Sequence, residues 1–356
     1  MIKPFLIFSI ITLNIIVFFK VYENKPPVLN VFPVKTSVTD FPSPTPSSQP
    51  LPATKVIEND YHVFQTFNNC GPAALSMALS YYDIEKSQQD LGNILRPYQN
   101  PQGDNDDKSV TLEELAKKAS EYNLVPFHRP NGNTLLIKQF IANNIPVIAR
   151  TLLKENDDIG HFRVIKGYDD TTQEFIQDDS LQGHNLRYSY SQFKRLWQIF
   201  NYEYLVLVPI QKQKIATNIL GEEIDEVTSW KKAADNSYKE LELNPNNIYS
   251  RFNLSVALYN TGDLQNSISE FEKVENKLPP RTLWYQIEPI KAYFESGNYE
   301  KVFSLTDKIF NNQNRAFSEL YIIRGEIFKK QGNDTKAKME FEKAYFYNKN
   351  LIDATP

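Results

Sequence analysis

Three glycines, Gly262, Gly297 and Gly332, recur at intervals of 35 residues, and each is followed by Asp or Asn between two stretches of helical periodicity. A fixed period of this size is the mark that stacked helix-turn-helix units leave in a sequence. One such unit cannot cover its own apolar face, so the units must stack on one another. The last third of the chain is thereby committed to an all-α solenoid of about three units, with helices starting near Ile224 and ending near Asn350. The 356 residues leave room for a second core upstream. With 41% hydrophobic and 23% charged residues and a formal charge of -4, both parts are expected to be ordinary folded, mildly acidic domains. No broad basic surface for nucleic acid is implied.

The helical units resemble tetratricopeptide repeats, which place a small residue early in the second helix and an aromatic four positions later. Ser267 with Phe271 and Ala337 with Phe341 fit, whereas the middle unit has Val302 and Thr306 at those places. Pro245 and Pro279 lie 34 apart, and Glu240 to Pro245 reads as the end of a repeat. By this resemblance residues 217–350 form a tetratricopeptide solenoid, whose concave face suits an extended or helical segment of a protein partner.

The other end of the chain sets the compartment. Phe5 to Phe19 are fifteen uncharged residues between Lys3 and Lys20, with Asn14 the only strongly polar side chain among them. Counting Ile2 through Tyr22 brings the stretch near the ~20 residues that a bilayer needs. No small-residue cleavage signal follows, since the first alanine is Ala53, and no nearby cysteine offers a site for lipidation. Residues 1–22 are therefore expected to be an uncleaved transmembrane helix, with the bulk of the protein outside the cytoplasm. Residues 23–57 read as a Pro-rich linker. Eight of the 21 prolines fall between Asn24 and Thr54, and no glycine precedes Gly71. Such a spacer reaches on the order of 90 Å in polyproline geometry.

Residues 58–212 carry the chemistry. Periodicity predicts helices over 70–82, 112–122 and 135–143, then strands over 146–153, 161–168, 174–177 and 204–210, an α+β domain with helices on an antiparallel sheet. Cys70 is the only cysteine, and with four histidines it leaves no zinc-finger ligand set. It opens Cys70-Gly71-Pro72-Ala73-Ala74-Leu75, where Pro72 suits a first helical turn. That position favours a thiolate through the unpaired amides and the helix dipole. Gln65 is placed to aim its amide at a developing oxyanion. Of His62, His128, His161 and His184, His161 stands out, because Gly160-His161-Phe162 begins a strand after a flexible acidic loop. The next strand ends in Asp178-Asp179, so hairpin pairing returns a carboxylate toward the imidazole. The other three histidines read as surface or structural. The run Gly103 to Lys108 is acidic but lacks the ligand order of a calcium loop, and reads as a solvated loop.

These pieces together resemble the papain-like cysteine peptidases, and specifically the bacteriocin-processing (double-glycine leader) peptidase family and its free-standing relatives. The matching residues are the upstream Gln65, Cys70-Gly71-Pro72-Ala73-Ala74 opening a helix, Gly160-His161-Phe162 before a β pattern and Gly167-Tyr168, and an Asp ahead of Gly183. The resemblance covers about 155 of 356 residues. It implies Cys70 as nucleophile, His161 as base, Gln65 as oxyanion donor and Asp179 as the carboxylate that aligns with the family's Asp-Pro-x-x-Gly. Many relatives have the Gln one residue farther from the Cys. Ser180 stands where the family has proline, which keeps Asp178 as an alternative third member. No ATP-binding transporter module follows.

The expected protein is thus a membrane-anchored extracytoplasmic cysteine peptidase, with no cofactor and no metal, acting on a peptide or protein substrate while the repeats recruit substrate or partner. An inactive papain-like binding module and an acyltransferase on the same scaffold are the alternatives. The nucleophile, base and oxyanion donors all lie before Lys212, so a chain ending there is expected to act on a short peptide if the repeats only recruit.

Overall fold

Alternation decides how the central sheet is built. In each inner strand, odd and even positions go to different cores, as a two-residue side-chain period requires. Ile148, Val164, Leu205 and Leu207 join one apolar cluster, while Val147, Ala149, Ile165, Val206 and Val208 join another. The sheet is therefore covered on both faces.

A computed structural model describes residues 50–100 and 110–351. The expected membrane segment, most of the linker and the acidic run 103–108 lie outside the described residues, and no helix among the described residues is long and apolar enough to cross a membrane. The strands are β1 (Thr54–Val56), β2 (Leu124–Arg129), β3 (Val147–Leu152), β4 (Gly160–Asp169), β5 (Glu174–Asp179), β6 (Gly183–Ser189) and β7 (Tyr204–Pro209). All pair antiparallel in the order β2-β7-β3-β4-β5-β6, with β1 added beside the far end of β4. The sequence analysis placed Thr54–Val56 in the linker, but they hydrogen-bond into the sheet opposite Gly167–Asp169.

On one face lie α1 (Cys70–Ser80), α2 (Gln88–Leu95) and α3 (Leu112–Ser120); on the other lie α4 (Thr134–Ala142), α5 (Tyr190–Gln198) and α6 (Gln213–Leu220). Helix α1 is buried over every residue from Cys70 to Leu79, as an apolar helix at the centre of a domain must be. It lies so close to its neighbours that a Cβ on Gly71 would meet Val110 Cγ2 at 2.2 Å, which explains a glycine inside the first turn. Helix α6 supplies Ala216 and Leu220 to the sheet core, so this core continues past Lys212.

The helical region comprises α7 (Glu226–Leu243), α8 (Ile248–Asn260), α9 (Leu264–Glu272), α10 (Thr282–Tyr285), α11 (Glu288–Glu295), α12 (Tyr299–Asn311), α13 (Ser318–Lys330) and α14 (Asp334–Tyr347). The three periodic glycines turn α8 into α9, α11 into α12 and α13 into α14 with φ of +85°, +80° and +71°, a conformation that costs glycine little. After each, Asp263, Asn298 or Asn333 caps the next helix by accepting a backbone N–H. Ser267, Phe271, Val302 and Thr306 are fully buried, and Phe341 packs on Gly325, where a Cβ would meet its ring at 2.6 Å.

This region does not stand apart from the sheet domain. Gln198 Nε2 donates to Glu240, Asn253 Nδ2 to the Gln198 carbonyl and Gln286 Nε2 to the Ile199 carbonyl. Tyr249 and Tyr285 pack on a separate apolar cluster of Leu152, Leu196, Ile199 and Phe200.

Candidate active site

Strand register brings the site together. His161 and Arg163 alternate onto one face of β4, and Asp179 is the partner of Arg163 across β5, so all three share that face. Asp178 is paired with Val164 and faces the other way. One residue of parity thus separates the two carboxylates. His161 Nε2 is 2.8 Å from Asp179 Oδ1, whereas Asp178 sits 2.9 Å from Lys166 Nζ and accepts the Asn185 amide.

Asp179 is fixed from several sides. Its Oδ1 also accepts the backbone N–H groups of Leu181 and Gln182, at 2.8 and 2.9 Å. Its Oδ2 is 3.4 Å from Arg163, a fully buried guanidinium that donates to the Leu152 and Leu153 carbonyls and to Thr151 Oγ1. His62 contacts the Asp179 carbonyl at 3.0 Å, and its ring lies near Phe64 and His184. His128 pairs with Glu203 away from this cluster.

With Nε2 committed to Asp179, the other imidazole nitrogen is the one available to Cys70, and His161 is the partner whose hydrogen bonding and charge act on the thiol. Burial by itself pushes the Cys70 thiol up. The hydrogen bond and charge of His161, with the charges of Arg96 and Arg150, outweigh burial and bring the thiol below its ordinary value. Burial acts against the charged form of His161 too, but Asp179 and the Cys70 thiolate raise its pKa overall. Burial likewise opposes ionisation of Asp179, yet His161, Arg163 and the backbone amides hold it down at about 2. These shifts favour a thiolate–imidazolium pair backed by a carboxylate.

Cys70 is the first residue of α1, and Asn69 makes no side-chain cap there. Its side chain instead donates to Thr66 Oγ1 and accepts from Gln99. The first-turn amides are the natural place for a developing negative charge. Gln65 is half-buried on the preceding loop. Its Oε1 accepts the Ser180 hydroxyl at 2.8 Å and its backbone N–H donates to the Ser180 carbonyl. Holding the oxygen leaves the amide nitrogen as the donor side of Gln65. The buried Gln88 of α2 bonds Thr66 N and the Phe64 carbonyl, bracing the loop around Gln65.

Sequence reasoning overlooked Arg96, Arg150, Arg163 and the Ser180 link. Arg150 carried a signal, since it is the single charge in the wholly buried strand Val147–Leu152. Arg163 carried one too, at the i+2 position from His161. Among the described residues no group of three or more His, Cys, Asp or Glu side chains is arranged to hold a metal.

Residues 57–205 match the model of the Peptidase_C39 like family. The match supports a cysteine peptidase domain over that segment, and the antiparallel sheet with its helices fits such a papain-like domain. No curated protein matches the chain. Among solved structures, a protein described as a C39-like peptidase from Bacillus anthracis is similar at 15% identity and a TM-score of 0.38, covering 44% of this chain and 97% of its own. The peptidase domain of Streptococcus ComA, a bifunctional ABC transporter of a quorum-sensing pathway, aligns at 20% identity and a TM-score of 0.32, over 41% and 96% of the two chains. A double-glycine-motif protease from an AMS/PCAT transporter, solved with a leader peptide, aligns at 17% identity and a TM-score of 0.31, over 43% and 92%.

Proposed function

We propose that this protein is a cysteine peptidase that hydrolyses peptide bonds through Cys70, His161 and Asp179. The observation that carries the reading is the buried line from the Cys70 thiol to the His161 imidazole to Asp179, with the thiol shifted down and the imidazole shifted up. The Cys70 thiolate attacks the scissile carbonyl carbon. The Gln65 amide and the backbone N–H at Cys70 receive the oxyanion. The His161 imidazolium gives its proton to the leaving amine as the C–N bond breaks, forming an acyl-enzyme. Water, deprotonated by His161, then attacks the thioester, releasing the acid and regenerating the thiolate. Asp179 holds the imidazole in the required tautomer throughout.

Two further parts of the reading concern the rest of the chain. The helical region is taken as a tetratricopeptide array that recruits a protein substrate or partner, supported by the three glycine turns and by the Gly325–Phe341 packing. The N-terminal apolar stretch is taken as a membrane anchor with the catalytic domain extracytoplasmic, supported by its fifteen uncharged residues. The test of the activity is mass spectrometry of a mixed peptide library after incubation with the full chain or its Cys70→Ala variant. New carboxyl termini that need Cys70 support hydrolysis. Products joined to an added amine in place of water assign acyl transfer, and no Cys70-dependent product defeats the enzymatic reading.

A further inference from the structure

Outside the triad, a side chain of the helical region reaches the strand that carries His161. Tyr285, the last residue of α10, packs its ring on Gly160, the residue before His161. A Cβ on Gly160 would come within 3.0 Å of two Tyr285 ring carbons. On its other side, the Tyr285 ring is 5.2 Å from the Arg150 guanidinium, which also lies 5.6 Å from the Phe162 ring and donates to the Tyr285 carbonyl at 3.1 Å.

Neighbouring contacts hold this residue in place. Arg281 pairs with Asp158 at 2.7 Å, two residues before Gly160. Gln286 bonds the Ile199 carbonyl, and the Phe200 and Tyr285 rings meet edge-on at 5.9 Å. The C-terminal end of the helical region is fastened to the end of α2. Asn348 and Asn350 donate to the Leu95 and Ile94 carbonyls, and the Tyr98 ring packs against Phe346 and Tyr347. Arg96, next in sequence, donates to the carbonyl of Asn68, two residues before Cys70. The helical region is thus tied both to the loop entering His161 and to the segment bracing the approach to Cys70.

We propose that Tyr285 is a specificity-determining wall of the catalytic cleft, supplied by the helical region, which restricts the space beside Gly160 and Cys70 to a slender, extended peptide segment. The inference rests on the cysteine peptidase reading and deepens it. Glycine at 160 is what allows the ring to approach so closely. Cys70 is only 7% exposed, so a substrate has to reach it through a narrow opening. Burial pushes the Tyr285 hydroxyl up to about 12, and the Cys70 thiolate is among the charges it feels, in keeping with their proximity. A side chain that is bulky next to the scissile bond would have to displace an aromatic ring anchored through Arg150, Phe200 and Gly160.

The test compares alkylation of Cys70 in the full chain by a small reagent, iodoacetamide, and a large one, N-(1-pyrenyl)maleimide. Tyr285→Ala is expected to raise the large-to-small rate ratio by about tenfold, the size of discrimination that a pocket wall supplies. Tyr285→Phe keeps the ring and should keep the ratio. If Tyr285→Ala loses its near-ultraviolet circular dichroism, Tyr285→Leu, which retains apolar contact with Phe200, must raise the ratio instead. An unchanged ratio in the folded smaller-side-chain variant, or an equal rise in Tyr285→Phe, overturns the proposal. The readout needs no turnover, so a wild-type protein that cleaves nothing while the ratio rises would defeat the peptidase reading and leave the wall in place. Where peptides are cleaved, Tyr285→Ala should admit bulky side chains beside the scissile bond that the wild type cleaves poorly.

Discussion

His161 Nε2 and Asp179 Oδ1 lie 2.8 Å apart with both side chains almost wholly buried, and the same oxygen accepts two backbone amides of the turn that follows. The carboxylate is thereby fixed before it orients the imidazole. Removing its charge should be felt across the imidazole ring, at the thiol.

Alkylation reads that effect directly, because Cys70 is the only thiol in the chain. The thiol is held below its ordinary value of 9.0, so the iodoacetamide rate should stay high at neutral pH and fall only as the thiolate is protonated at lower pH. In Asp179→Asn the imidazole loses the partner that raises its pKa. The imidazolium that stabilises the thiolate then disappears at lower pH, and the inflection of the alkylation profile should move up. A profile unchanged by Asp179→Asn would remove the carboxylate from the relay.

The two aspartates should separate in function. Asp179→Asn is expected to reduce kcat/KM by at least about 100-fold, the scale of acid–base catalysis. Asp178→Asn leaves the buried Lys166 without its ion-pair partner, so it should cost on the order of 3 kcal/mol of stability while the alkylation profile keeps its wild-type inflection. Thermal melting and turnover of the two variants check this, and the reverse pattern would transfer the role to Asp178.

Acid stability follows from the same carboxylate. Asp179 is held at about 2 against an ordinary 3.8. A depressed pKa contributes stability that is fully present above the unfolded value and is lost as pH falls through the folded one. The contribution is roughly 2 kcal/mol at neutral pH and should vanish between about pH 4 and pH 2. The melting-temperature gap between the wild type and Asp179→Asn should therefore close over that window.

Much of this site was legible because its determinants are local. Pro72 and the apolar run after it mark the start of α1, and the loop-to-strand change at Gly160 marks His161. The resemblance pointed to Asp179 but kept Asp178 as an alternative, because the residues alone do not give the register of β4 against β5 or the irregularity between Ile165 and Gly167. Strand β2 was overlooked since Pro126 argues against a strand, yet β2 is a sheet edge, where a proline is tolerated. Strand β6, Gly183–Ser189, is largely polar and exposed and so lacks the pattern of a buried strand. Arg96, Arg150 and Tyr285 acquire their place only when elements far apart in sequence close around Cys70.

Gln65 offers a separate test of the oxyanion donors. Gln65→Ala should lower kcat on the order of 100-fold while leaving the iodoacetamide rate of Cys70 near wild type, because the amide is needed only when charge develops on the substrate. Ser180→Ala should have a smaller effect of the same kind, since Ser180 only holds the Gln65 oxygen. A matching loss of alkylation in Gln65→Ala would mean that the residue supports the thiolate and not the oxyanion.

The dependence of the sheet domain on the helical region can be decided by truncation. Ending the chain at Lys212 removes α6, and with it the buried Ala216 and Leu220 of the sheet core. The sharper comparison is a chain ending at Asp225, which keeps α6. That chain still exposes Leu196, Ile199 and Phe200, each at most 2% exposed in the full chain, and it loses Tyr285 and Gln286 from the Gly160 and Ile199 contacts. At about 25 cal/mol per Å² of apolar surface, uncovering three such side chains costs several kcal/mol. The expected outcome is a lower melting temperature, together with weaker size discrimination in Cys70 alkylation. If the shortened chain instead melts with the full protein and cleaves a short peptide at the same rate with the same side-chain preference, the helical region acts by recruitment alone.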